Sequence, residues 1–99
     1  MRAASRVDSN HREIVHGLRK TGCTVLDLSA VGCGCPDILV GRAGHNWLFE
    51  IKDGSKPPSA RKLTMPEQAF FAMWRGNVQV VKSLDEAIDA INQTLKHKQ

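Results

Sequence analysis

Residues 36–53 read PDILVGRAGHNWLFEIKD, with an aspartate at the start of one apolar run and a Glu-Ile-Lys triplet at the end of the next. Alternate residues of a strand point to opposite faces. In the second run Trp47, Phe49 and Ile51 therefore share one face, and Leu48, Glu50 and Lys52 share the other. Glu50 and Lys52 then project side by side, roughly 6–7 Å apart along the chain. If the two runs pair as a hairpin, Asp37 lies beside Glu50 at one sheet edge. Two carboxylates brought together in a partly apolar setting repel each other and lose hydration, and a divalent cation removes that penalty. Magnesium suits such a pair, because it is held by one or two carboxylates plus waters and phosphate oxygens. A lysine beside the pair can position an attacking water or neutralise charge that develops on a phosphate. The chemistry that needs this combination is metal-assisted phosphodiester hydrolysis.

An E-x-K triplet by itself is common on solvated strand edges, and Asp37 alone could simply cap a turn after Pro36. The joint pattern is more specific: Pro-Asp opens one strand, Glu-x-Lys closes its partner, and a basic loop follows at once. Between Lys52 and Lys62 lie four basic side chains, Lys52, Lys56, Arg61 and Lys62, against the single acid Asp53. Such a loop can grip phosphates without regard to sequence.

The elements that must carry these residues follow from periodicity. From Ser9 to about Lys20, Ile14, Val15 and Leu18 share one helical face, with Asp8 or Ser9 as N-cap and Gly22 as the stop. Strands are predicted over 24–28, 37–41 and 46–52, with Gly41 to His45 as the connection of the last two. Lys56-Pro57-Pro58-Ser59 breaks regular structure, so 53–63 is a loop. Thr64 with Glu67 forms a capping box, and Phe70, Phe71, Met73 and Trp74 supply the apolar surface of that helix. A fourth strand spans 78–81, and Ser83 with Glu86 caps a last helix that buries Ala87, Ile88, Ile91 and Leu95. Trp47 and Trp74 could stack on bases, but their places within apolar faces assign both to the core. The order is helix, three strands, helix, strand, helix. Short connections make the first three strands an antiparallel meander, and the intervening helix makes the fourth parallel to the third. The expected fold is α/β, a four-stranded mixed sheet flanked by helices.

Composition sets the outer bounds. With 99 residues, 41% of them hydrophobic and 24% charged, the chain is one globular domain spanning 1–99. No apolar run approaches the roughly 18 residues of a membrane span, and no signal peptide is apparent, so a soluble cytoplasmic protein is expected. The net charge of +4 suits a polyanionic partner. Cys23, Cys33 and Cys35 form an odd set, which favours a reducing compartment. The single residue between Cys33 and Cys35 does not fit the spacing of a structural zinc site.

With these residues in view, the sequence resembles the PD-(D/E)XK nuclease superfamily, and within it the stand-alone virus-type replication-repair (VRR-Nuc) group of phages and bacteria. The matching residues are Asn10 and Glu13, Gly34-Cys35-Pro36-Asp37, Glu50-Ile51-Lys52 and Gln68. Cys35 departs from the aliphatic residue more usual before the proline. The resemblance implies a restriction-endonuclease-like αβββαβα core and an endodeoxyribonuclease dependent on Mg²⁺ or Mn²⁺, with no organic cofactor. Asp37 and Glu50 would hold the metal with the Ile51 carbonyl, and Glu13 would reach it from the first helix. Lys52 would activate the water, and Gln68 would line the site and steady Lys52 or that water. Asn10 would sit on the DNA side of the first helix, and Lys56, Arg61 and Lys62 would hold neighbouring phosphates. A chain this short has little room to read bases. Branched DNA, such as a four-way junction, is therefore the expected substrate, cut by a symmetric homodimer in the cytoplasm of a bacterium or phage-infected cell. Two alternatives are an inactive nucleic-acid-binding module of the same fold and a sequence-specific restriction-type enzyme.

Overall fold

A computed structural model describes residues 9–96. The first helix, α1 (His11–Lys20), turns Ile14, Val15 and Leu18 inward, as their spacing requires. It ends as predicted at Gly22, whose φ of 99° suits a residue without a Cβ. The Gly22 amide donates to the Arg19 carbonyl and the Cys23 amide to that of Leu18. The start differs from expectation. Asn10 is the N-cap and makes no side-chain cap bond, Ser9 Oγ instead donates to Asp53, and Asp8 lies outside the described residues.

The strands β1 (Thr24–Asp27), β2 (Ile38–Arg42), β3 (His45–Ile51) and β4 (Val78–Val81) form one sheet in the order β1-β2-β3-β4. The first three are antiparallel, and β4 is parallel to β3. The β2–β3 connection is tighter than expected: Ala43 and Gly44, both at positive φ, make a two-residue turn. That is the turn geometry whose twist matches a hairpin. The helices α2 (Met65–Met73) and α3 (Leu84–Lys96) complete the αβββαβα order.

One face of the sheet carries the core. Ile38, Val40, Trp47, Phe49, Ile51 and Val81 pack there against Ile14 and Leu18 of α1 and Ala87 and Ile91 of α3. The Trp47 indole N–H donates to Thr94 Oγ1 at 2.9 Å, which satisfies the buried ring from α3. Truncating Phe49, fully buried at the centre, would cost about 3–5 kcal/mol. The opposite face holds Leu26, Leu39 and Leu48 in a cross-strand row, with Glu50 further along β3. Here the expectation for α2 fails, because none of its residues is buried and Trp74 is 43% exposed. Among the described residues no helix is long and apolar enough to cross a membrane.

Candidate active site

The pairing of β2 with β3 decides where the acids go. Ile38 pairs with Phe49, so the next pair outward is Asp37 and Glu50. Pro36 is buried and steers the chain into the strand, and the Asp37 amide donates to the Phe49 carbonyl at 3.0 Å. The Asp37 carboxylate turns back across the strand end and accepts the Ile51 amide at 2.7 Å. It is also within hydrogen-bonding reach of the Glu50 carboxyl. Glu50 itself is only 5% exposed. Lys52, two residues on and on the same face, places Nζ 3.4 Å from Glu50 Oε2 and 3.1 Å from Glu67 Oε1.

The electrostatics follow from this crowding. Burial, with the nearby charges of Asp37 and Glu67, pushes the Glu50 carboxyl up to about 9. Burial also raises Asp37, although the Ile51 amide and the His11 ring pull against it. The two acids therefore share a proton near neutrality. Burial alone would lower Lys52, but its bonds to Glu67 and the charge of Glu50 outweigh this and hold it above the ordinary lysine value. Glu67 is likewise pulled up by burial and further down by the Thr64 amide and Lys52, so it stays ionised.

A cation has a clear physical role here, since it can replace the proton that keeps two adjacent carboxyls from repelling. Asp37 and Glu50 supply oxygens on one surface, and Ile51 ends β3 beside them. Among the described residues, no group of three or more His, Cys, Asp or Glu side chains is arranged to hold a metal. Two carboxylates without a protein cage suit magnesium, which keeps most of its waters, better than zinc.

The other expected site residues are placed less centrally. Gln68 is exposed and donates its amide to the Leu63 carbonyl, so it does not touch Lys52. Glu67, one residue earlier, holds the lysine. Its Oε1 also accepts the Thr64 amide at 2.9 Å, so the capping box and the Lys52 contact use the same oxygen. Glu13 is exposed, on a stripe with Asn10 and Gly17, which meet Lys82 and Leu84 at the β4–α3 junction. No ion pair or hydrogen bond among the described residues joins Glu13 to the acid pair. Asn10 does not face outward toward a phosphate. Its Nδ2 donates to the carbonyls of Lys52 and Lys82, at 3.2 and 2.9 Å, and so clamps the end of β3 to the end of β4. In the basic loop Lys56 and Lys62 are exposed, while Arg61 Nε donates to the Lys56 carbonyl and stiffens the turn.

Two neighbours of the site escape the sequence reading. Glu67 had a sufficient local explanation as a cap, which concealed its second contact. His11 is buried at the start of α1, with Nε2 3.0 Å from Asp27 Oδ2, and its ring is close enough to act electrostatically on Asp37. Its only sequence signal was a place near the apolar stripe of α1.

The glycine before this site has a structural reason. Gly34 has φ 79°, and a Cβ on it would collide with the Pro66 carbonyl. The loop before Asp37 thus lies directly against the first turn of α2, and this contact brings Glu67 over Lys52. Comparison with family models, curated proteins and solved structures yields no match to this chain.

Proposed function

We propose that the chain is a Mg²⁺- or Mn²⁺-dependent endodeoxyribonuclease that hydrolyses phosphodiester bonds. The observation that supports this most directly is the convergence across the β2–β3 register: Asp37 opposite Glu50, with the Lys52 ammonium 3.4 Å from Glu50 on the same face. Asp37 and Glu50, with the Ile51 carbonyl, would hold the cation. Bound there, it would supply Lewis-acid polarisation of the phosphate and lower the pKa of a coordinated water. Lys52 stays charged and is aimed by Glu67, so it can orient the nucleophile and offset charge on the phosphate oxygens. Lys56 and Lys62 extend from the loop that follows and would neutralise flanking phosphates.

Branched DNA is the proposed substrate, and a two-fold dimer would place two such centres for paired cuts. A reducing cytoplasm fits the three free cysteines. The test is incubation of labelled linear, flapped and four-way DNA with Mg²⁺, Mn²⁺ or EDTA. Asp37→Ala and Lys52→Ala are run alongside, with circular dichroism to confirm folding. Metal-dependent cutting lost in both folded variants supports the assignment. Binding without cutting would instead mark an inactive module, and cutting of linear duplex at one fixed site would mark a restriction-type enzyme.

A further inference from the structure

The end of α2 carries an aromatic surface that the hydrolytic site does not use. Phe70 and Trp74 stack in a near-parallel arrangement, ring centroids 5.2 Å apart and 16° between planes. The Trp74 amide donates to the Phe70 carbonyl, so the backbone fixes the same pair that the rings make. Gly76 lies under the indole edge, where a Cβ would come within 2.9 Å of Nε1. Trp74 is nevertheless 43% exposed and Met73 59% exposed. With Arg75 and Gly76 they line an open hollow of about 340 Å³.

We propose that this surface is a stacking platform for an unpaired nucleobase of the DNA strand that enters the acid site. The proposal rests on the nuclease reading for the identity of the strand and deepens it by naming what the substrate must offer. Every base has a π-face, and the ring held by Phe70 presents a flat partner whose orientation is already set. Bases inside a duplex have both faces covered by neighbours, so the platform takes an unpaired base of a flap, a branch point or a single strand. The electrostatics agree, since no carboxylate occurs from residue 68 to 84 and Arg75 adjoins the ring. Glu67, which aims Lys52, and Trp74 are seven residues apart, about 10 Å along a helix axis, so the two lie toward opposite ends of α2.

The experiment uses the full chain in EDTA, so that nothing is cut. Intrinsic fluorescence is followed while a dT12 oligonucleotide or a 12-base-pair duplex is added. Trp47 is 2% exposed inside the core, so a stacking signal can come only from Trp74. Quenching by dT12 and its absence in Trp74→Phe are expected. Trp74→Ala should weaken dT12 binding by about 5- to 150-fold and duplex binding by less than twofold. Gly76→Ala, which must displace the ring, should lower dT12 affinity in the same direction. Unchanged dT12 affinity in Trp74→Ala overturns the proposal, and so does quenching that persists in Trp74→Phe. Sedimentation in the absence of DNA covers the other occupant: a dimer that dissociates on Trp74→Ala with no loss of dT12 binding per chain makes this face a subunit contact. The two readings fail separately. Quenching without any metal-dependent cutting removes the nuclease and keeps the platform, whereas cutting unaffected by Trp74→Ala, with no quenching, removes only the platform.

Discussion

Replacing Glu50 by glutamine removes an acid that the fold holds protonated, and the consequence is a change in how stability depends on pH. In the folded chain burial, Asp37 and Glu67 raise this carboxyl to about 9, whereas unfolding returns it to its ordinary 4.5. Between about pH 5 and 8.5 only the unfolded state releases the proton, so stability falls as pH rises, at up to about 1.4 kcal/mol per pH unit. From pH 6 to 8 the loss is about 2 kcal/mol once some water entry and relaxation at the strand end are allowed for. That is a large share of the roughly 5–15 kcal/mol that stabilises a domain, and it lowers Tm by about 10 °C. Apart from Asp37, the other shifted carboxylates and Lys52 act outside this window. Asp27 and Glu67 are shifted down, so what they contribute is present above the ordinary carboxylate range and disappears only as pH falls below it. Lys52 is shifted up, so its contribution persists until pH climbs beyond the ordinary lysine value. Asp37 shares the Glu50 proton and acts in the same direction. Guanidinium unfolding followed by circular dichroism at pH 6, 7 and 8, in EDTA and at fixed ionic strength, reads the slope directly. Wild type should lose stability across the series, and Glu50→Gln should be nearly flat. Added Mg²⁺ should stabilise wild type most at pH 8, where the proton it displaces is held least tightly. Parallel slopes for the two proteins would show that Glu50 is not held protonated and would undo the electrostatic argument for a cation.

Two further outcomes are expected. Glu67→Gln should slow cutting by about ten- to hundredfold, the worth of one charge-assisted bond to Lys52, whereas Gln68→Ala should change single-turnover rates by less than twofold. Gly34→Ala should destabilise the chain by about 2–4 kcal/mol in urea unfolding, through left-handed strain and collision with Pro66, and should slow cutting because Glu67 is displaced.

Alternating polarity was enough to read the sheet and its acid pair, because a hairpin register leaves Asp37 little choice but to oppose Glu50. Details depending on backbone conformation were less accessible. Ala43 takes φ 53°, a geometry usually signalled by Asn, Asp or Gly, so the turn read as longer than its two residues. The aromatics of α2 resemble a core stripe in sequence, yet the first turn of that helix is anchored by Pro66 and Glu67, while its other end leaves Met73 and Trp74 exposed. Asn10 shows the same limit from the other side. A polar residue before a helix reads as a cap or a surface group, and nothing local reveals carbonyls 42 and 72 residues away that take its amide. Long-range polar contacts of this kind lie beyond periodicity, and they are what set Lys52 and Glu67 in place.

Calorimetric titration of the metal-free chain with Mn²⁺ tests whether Asp37 and Glu50 form one cation site. Saturable binding is expected that strengthens from pH 6 to 8 and releases a proton to the buffer, and that is lost in both Asp37→Asn and Glu50→Gln while each stays folded. Binding that persists unchanged in those two variants, or no binding to the wild type at either pH, would contradict such a site.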